Sequence, residues 1–451
     1  MPAPRLTRAQ LSAQLRRQLG REHAALLDQI LARAGEQPLY LVGGAVRDGL
    51  LTAAKCGSGD RPHALLGRPG NELDLMLTGR TLQDAIAFAR ALQSELGGSL
   101  QTHARFGTAQ WRTADGITVD FANTRREHYR RPGQLPRPAP GSAEEDLWRR
   151  DFSINALAWQ LHPPAAFGRL LDPCGGRADL ARRQLRALHP ASFRDDPTRF
   201  LRGLRLAARL GLRWEEETLR WAQASLPILA RLSGSRLRAE FAQLFREPRP
   251  EDALTAPAAR GLLAALHPAF LTEPRTLQNR FAAARAAPFT ADPVAPLTAA
   301  KCPHALGWRL LTLGNNPVTV ADLAVRFTLR KAEHAALTQA ATLFAARATL
   351  ADESQPPATI AAALETTDEA TRLALWAAGD SALRRQLERY EKDWRPRRRS
   401  LQGRDLRRLG LPPGPRYREL LERLQVARWN GEVSSAAEER ELLEQSLIQL
   451  D

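Results

Sequence analysis

Near residue 189 the strand-like spacing of apolar residues all but disappears from this chain, and that change constrains the fold more than any other feature. Before it, segments such as ELDLML (72–77) and GITVDFANT (116–124) alternate apolar and polar residues at a period of two, as half-buried strands do. After it, apolar residues recur at a period of 3.6 between prolines and glycines. Leu201, Leu204, Ala208 and Leu212 share one face of such a helix, flanked by Arg199, Arg202, Arg205 and Arg209. The expectation is an α+β chain, with a head built on a small mixed sheet and an all-helical remainder.

Within the head, QPLYLVGG (37–44) reads as a strand running into a double glycine, and AVRDGLL (45–51) as the helix that follows. Residues 5–34 read as one amphipathic, arginine-rich helix, in which Glu22 and Asp28 argue against a mitochondrial transit peptide. A polar loop rich in glycine and proline covers 52–70. The stretch 129–144, with four prolines and two glycines, is expected to be a flexible loop without regular structure. Segments 248–261 and 351–358 are candidate linkers.

A net charge of +16 and a sequence pI near 10.9 favour a polyanionic partner, RNA or DNA, over a small acidic substrate. All but four of the 65 basic residues are arginine, which codon bias alone explains. Cys56, Cys174 and Cys302 are odd in number, far apart and without metal-ligand spacing, which points to a reducing cytoplasm and no zinc site. No apolar run approaches the ~18 residues of a membrane span, and the N-terminus lacks the apolar core of a signal peptide.

In ELDLML the strand period sends Leu73, Leu75 and Leu77 to one face and Glu72 and Asp74 to the other. Adjacent carboxylates repel, so the pair makes chemical sense around a divalent cation such as Mg²⁺; the bland reading is an exposed acidic strand face. Asp120 points opposite Val119 and Phe121, so if the strands are neighbours, three acids are placed to hold two ions for attack of a hydroxyl on a triphosphate. In LVGGAVRD, Gly43 and Gly44 admit an anion close to the backbone, the next helix presents its positive end, and Arg47 adds a fork of donors.

These residues form a resemblance. G-G-x-V-R-D followed by two acids flanking one residue resembles the first motif of the polymerase β-like nucleotidyltransferases of the class II CCA-adding and bacterial poly(A) polymerase family. RRDFSINA (149–156), DPCGGRADL (172–180) and DDPTR (195–199) are similar to its second, third and fourth motifs. GRDLRRLGLPPGPRYRELLERL (403–424) with WNGEV (429–433) resembles the tail of bacterial members. The chain departs from the family pattern at Glu72 and Asp195, where aspartate and glutamate are usual, at Ser153 in place of threonine, and in the length of 52–70. The extra methylene of Glu72 moves its carboxylate by roughly 1.5 Å.

The resemblance implies a nucleotidyltransferase head over 1–188, a neck over 189–250, a body over 251–355 and a tRNA-binding tail over 356–451. It implies that Glu72, Asp74 and Asp120 are catalytic, with Mg²⁺ on Glu72 and Asp74. Arg150 would hold the triphosphate and Asp151 the ribose, while Asn155 supports the turn and Asp172 and Asp179 are structural. Asp196 and Arg199 would read the incoming base, with Arg202 and Arg205 lining the nucleotide site. A carboxylate accepts from the amino group of cytosine or adenine and a guanidinium donates to the neighbouring ring nitrogen or carbonyl, whereas uracil and guanine present the opposite pattern. A cap for a helix that leaves Arg199 exposed is the competing reading of Asp196. The implied activity is addition of CCA, or part of it, to the 3′ end of tRNA from CTP and ATP, with the acceptor stem clamped by the helical part. CC-only or A-only addition, a bacterial poly(A) polymerase and an inactive RNA-binding homologue remain as alternatives. The acidic ending EERELLEQSLIQLD disfavours the poly(A) polymerase, and the presence of 129–144 leans towards an enzyme able to add A.

Overall fold

The computed structural model describes residues 7–18, 20–55, 72–128, 137–270, 273–288, 303–409, 411 and 414–448. Chain contacts divide it into two units, Met1–Leu232 with Ala256–Ala265, and Ser233–Thr255 with Leu266–Asp451.

The first unit is built on strands β1 (Leu39–Val42), β2 (Glu72–Leu77), β3 (Ser99–His103), β4 (Thr108–Arg112), β5 (Thr118–Asn123), β6 (Arg125–His128), β7 (Arg137–Pro140), β8 (Ala158–His162) and β9 (Leu170–Leu171). Seven of them make one mixed sheet in the order β3-β4-β5-β2-β1-β8-β9, in which β2 and β5 run parallel and every other pair is antiparallel. Leu73, Leu75 and Leu77 are buried as the alternation predicts, in register with Val119, Phe121 and Asn123. Helix α4 comes after α1 (Arg8–Gln18), α2 (Arg21–Leu31) and α3 (Gly44–Lys55); it spans Asp84–Leu96 and covers that face with Ala85, Ile86, Ala89 and Leu92. Phe88 and Phe121 meet edge to face at 5.7 Å.

The opposite face carries Asp74 and Asp120. Farther along it Met76, Tyr40 and Ala158 are buried under Ala143 and Leu147 of α5 (Ala143–Trp148), so the polar face of β2 is polar only where nothing covers it.

Two local expectations are corrected. Residues 5–34 form α1 and α2 rather than one helix, because Gly20 takes φ 103° between them. The stretch 129–144 is not wholly irregular: 129–136 lies outside the described residues, but Arg137–Pro140 pairs with β6, and Ser142 and Glu145 form a capping box that starts α5. The prolines fit because Pro138 and Pro140 sit opposite Glu127 and Arg125, alternate positions of an isolated two-stranded ribbon where no N–H need be donated; the Arg125 N–H points away from the ribbon, to Asp146 Oδ1. The loop 52–70 lies outside the described residues from 56 onward, as do Cys56 and Cys302; Cys174 is buried, and burial first, then Asp172, pushes its thiol up to about 12.

After α6 (Gly176–Ala181), the short parallel pair β10 (Gln184–Leu185) and β11 (Arg213–Trp214) crosses the expected boundary at 188/189, so a strand follows that point after all. Helices α7 (Ser192–Asp195) and α8 (Arg199–Leu210) lie between those strands. An aromatic cluster of Phe152, Phe193, Phe200 and Trp214 fixes α8, with Trp214 edge-on to Phe200 at 5.8 Å and to Phe152 at 6.2 Å. Gly203 sits where a Cβ would meet the Trp214 ring at 2.5 Å and Phe152 Cζ at 2.7 Å, which explains a glycine in mid-helix.

The second unit is helical throughout its described residues, from Gly234–Leu244 to Ala436–Ile448. Phe241 stacks on Phe270 and Trp308 in its core, with Phe245 and Phe327 edge-on to Trp308, and Leu401, Leu406, Leu420, Leu424 and Leu443 make a smaller one. The arginines of 395–398 are a solvated face, Arg395 pairing with Glu391 and Arg398 with Glu365. No helix among the described residues is long and apolar enough to cross a membrane.

Candidate functional site

A cleft of about 1140 Å³ opens on the uncovered half of the sheet. It collects Gly43, Gly44, Arg47, Asp74, Asp120, Arg150, Asp151, Asn155, Asp196, Arg199, Arg202 and Arg205, every residue expected from the sequence to be catalytic or nucleotide-binding except Glu72. Glu72 is in β2 opposite Thr118, but its side chain lies outside the described residues.

Asp74 and Asp120 are direct register partners on the parallel strands β2 and β5, about 5 Å apart at the backbone. Gln110, in register with Asp120 from β4, donates to its Oδ1 at 2.9 Å and sets the plane of that carboxylate. Gly43 takes φ 74°, and a Cβ there would overlap the Asp74 carboxylate, so the turn after β1 is held against the acid. Two carboxylates this close repel each other, and paired hard oxygen donors in a cleft rich in arginines fit a divalent cation such as Mg²⁺. Among the described residues no group of three or more His, Cys, Asp or Glu side chains is placed to hold a metal.

The first and second motifs are joined through Arg47. It is buried, with Nε donating to Asp48 at 2.7 Å and a terminal nitrogen to Asn155 Oδ1 at 2.8 Å, so part of the fork expected for a phosphate is engaged within the protein. Asn155 passes the contact on, donating to Asp151 Oδ1 at 3.0 Å, where the Phe152 N–H also arrives at 2.8 Å. Asp151 Oδ2 pairs with Arg202 at 3.3 Å. Burial raises the Asp151 pKa, but Arg202, the Asn155 amide, Arg199 and the Phe152 N–H together outweigh it and hold the carboxyl below its ordinary range.

Arg199 is buried, against the reading that leaves it exposed. It donates to Ser192 Oγ at 2.6 Å and to the Arg149 carbonyl at 2.8 Å. Asp196, extended at φ −135° and ψ 94°, does cap the turn into α8, its carboxylate accepting from the backbone and hydroxyl of Thr198 at 3.2 and 2.6 Å and its carbonyl from the Arg199 N–H, and it lines the cleft as well. Asp172 and Asp179 are structural as expected. Asp172 accepts the Gly176 and Arg177 N–H groups, and Asp179 holds Ser153 Oγ at 2.5 Å and Arg186 at 2.7 Å.

The sequence reading missed Arg125, Glu127 and Arg149 in the cleft, and named Arg150 without what orders it. Arg125, Arg149 and Arg150 are organised by two buried acids: Glu127 takes Arg125 at 2.9 Å and Arg149 at 3.1 Å, and Asp146 takes Arg149 at 2.6 Å and Arg150 at 3.2 Å. The available signal was Asp146 standing three and four residues before Arg149 and Arg150, a helical spacing. Arg209, one turn beyond Arg205, also lines the cleft.

The family described as "Poly A polymerase head domain" matches residues 39–186, and the one described as "Probable RNA and SrmB- binding site of polymerase A" matches 211–272. An A-adding tRNA nucleotidyltransferase of Geobacter sulfurreducens is 32% identical over 455 aligned positions, covering 94% of this chain and 47% of the relative. A CC-adding tRNA nucleotidyltransferase of Deinococcus radiodurans is 40% identical over 239 residues, 52% of this chain and 58% of the relative. The solved apo form II of a CCA-adding enzyme superposes with a TM-score of 0.75 at 25% identity, covering 97% of this chain and 98% of that one. The chain spans about half the length of the curated relatives it matches. The head match over 39–186, the RNA-binding match that follows it and the shared fold agree with the motifs gathered in the cleft: this chain belongs to the tRNA nucleotidyltransferase and poly(A) polymerase family.

Proposed function

We propose that this chain is a tRNA nucleotidyltransferase that adds CCA, or part of it, to the 3′ end of tRNA from CTP and ATP, in the cytoplasm. The observation that carries this reading is the register pairing of Asp74 with Asp120 in a cleft whose walls are Arg150, Asp151, Asp196 and Arg199. In the reaction the RNA 3′-hydroxyl oxygen forms a bond to the α-phosphorus of the nucleotide, and the bond to the leaving pyrophosphate breaks. Asp74 and Asp120, with Glu72, would hold Mg²⁺, which when bound would supply charge neutralisation for the triphosphate and the attacking oxygen.

The protein's own groups do the positioning. The backbone at Gly43 and Gly44 and the guanidinium of Arg150 receive phosphate oxygens, Asp151 takes the ribose, and Asp196 with Arg199 selects bases carrying an amino group beside an acceptor. Arg202 and Arg205 line the same pocket. The division into neck, body and tail at 250 and 355 belongs to this proposal, with the acceptor stem held by phosphate contacts along the basic helical part.

A second reading, CC-only or A-only addition, is favoured by relatives named for partial addition, one of them aligned along 94% of this chain. The test is a tRNA ending before its CCA, incubated with CTP, with ATP and with both, and the products sequenced. Addition of C, C and A, then arrest, supports the full activity. Arrest after CC, A added only to a CC end, or a long A tail on unrelated RNA assigns the partial enzymes or a poly(A) polymerase, and no addition at all leaves an RNA-binding homologue.

A further inference from the structure

The two carboxylates lie in the middle of the cleft floor, not at its end. On the β1 side of them stand the glycine turn and, joined through Arg47 and Asn155, Asp151, all assigned to the incoming nucleotide. On the β4 side the cleft continues over Gln110 and Thr108 to Phe106 and Arg125, and nothing in the nucleotide reading uses that half.

That half is a built element. Phe106 ends the turn Ala104–Phe106 between β3 and β4, with its ring half-buried and facing the guanidiniums of Arg105 at 5.4 Å and Arg125 at 5.7 Å. The turn is pinned from several directions. Arg125 donates to the Phe106 carbonyl at 2.6 Å, the Asn123 N–H to Gly107 at 3.0 Å, and Gln83 to Ala104 at 3.0 Å. Gly107 has φ 62°, and a Cβ there would overlap the Leu82 carbonyl. A rigidly held, half-buried aromatic ring beside two guanidiniums, one strand from a proposed catalytic carboxylate, has the chemistry of a base-stacking platform in an anionic-backbone groove.

We infer that Phe106 with Arg125 forms the subsite for the 3′-terminal nucleoside of the RNA acceptor. The terminal base stacks on the Phe106 ring, Arg125 faces the adjoining phosphate, and the terminal ribose lies towards Gln110 and Asp120. The subsite rests on the transferase reading above, because it assigns the acceptor to the half of the cleft that the incoming nucleotide leaves open.

The experiment uses the full chain with Phe106→Leu, which keeps an apolar side chain but removes the stacking face, and Phe106→Tyr, which restores it. A helical RNA with a two-nucleotide 3′ overhang and the same helix with a blunt end serve as acceptor probes, read both by KM for addition and by direct binding in fluorescence anisotropy without nucleotide. Phe106→Leu is expected to raise KM and Kd for the overhang RNA about tenfold, to leave blunt-end binding and KM for CTP within about twofold, and Phe106→Tyr to recover the wild-type values. Unchanged overhang binding with a lowered melting temperature makes Phe106 a packing residue and overturns the subsite. An equal rise in KM for CTP places the ring on the nucleotide side and overturns it too. If the wild-type chain adds no nucleotide, the transferase reading fails by itself; overhang binding weakened by Phe106→Leu would then still support a 3′-end subsite, and equal binding of overhang and blunt RNA would remove it.

Discussion

The Arg199 guanidinium donates to the backbone carbonyl of Arg149 at 2.8 Å, tying the start of α8 to the first residue of RRDFSINA fifty positions earlier. Arg149 also binds Asp146, which holds Arg150, so the residues proposed to read the base and to hold the triphosphate share one chain of contacts.

Arg199→Ala is expected to do two things at once. Removing a buried guanidinium strands Ser192 Oγ and the Arg149 carbonyl and costs about 3 kcal/mol of stability. It also relaxes base choice by a factor of about ten or more, read as incorporation of UTP and GTP on a trimmed tRNA. Asp196→Ala is expected to relax base choice with a smaller loss of stability, because Asp196 is less buried. Wild-type discrimination in both variants would remove the base-reading assignment.

Asp74→Ala and Asp120→Ala are each expected to bring nucleotide addition to background while RNA binding persists, because affinity comes from phosphate contacts elsewhere. The melting temperature offers a second readout. Without Mg²⁺ either change relieves the repulsion between register partners and leaves stability equal or higher, whereas the rise in melting temperature on adding Mg²⁺ to the wild type disappears. Addition that survives Asp74→Ala in excess Mg²⁺ would contradict the metal assignment.

Gly43→Ala places a methyl group on the Asp74 carboxylate and forces an L-residue into φ 74°. The backbone term costs about 1–2 kcal/mol, and displacement of the acid lowers kcat by about 100-fold with KM for RNA unchanged. Gly20→Ala, also at positive φ but with open space around it, separates strain from site geometry: it is expected to lose stability alone.

Asp151 links folding to acid. Its carboxyl is depressed in the folded chain, so its stabilising contribution is fully present above the unfolded value near 3.8 and is lost as pH falls below it through the folded value. Wild type and Asp151→Asn, compared by urea denaturation from pH 6 down to pH 3, should differ most at the upper end and converge towards the lower. A difference that widened on acidification would reverse the sign and place the stabilising charge elsewhere.

Much of the cleft was legible in short strings because its parts are local. A strand period places Asp74 on the polar face, a double glycine marks a close backbone approach, and an arginine at every third or fourth position of 199–209 follows one side of a helix. The sequence by itself thus determined the α+β division and picked out many of the residues that line the cleft. What it left open was set by partners distant in the chain: that β2 and β5 are neighbours with Asp74 opposite Asp120, that Arg199 is buried rather than solvated, and that Pro138 and Pro140 belong to a strand. The network of Arg125, Glu127, Asp146 and Arg149 was illegible for the same reason, since each acid meets its arginines only once β6 and α5 pack together. Periodicity fixes which way a side chain points along its own element; only the packing of elements decides what it meets there, and hence whether a charge is solvated, paired or placed on a substrate.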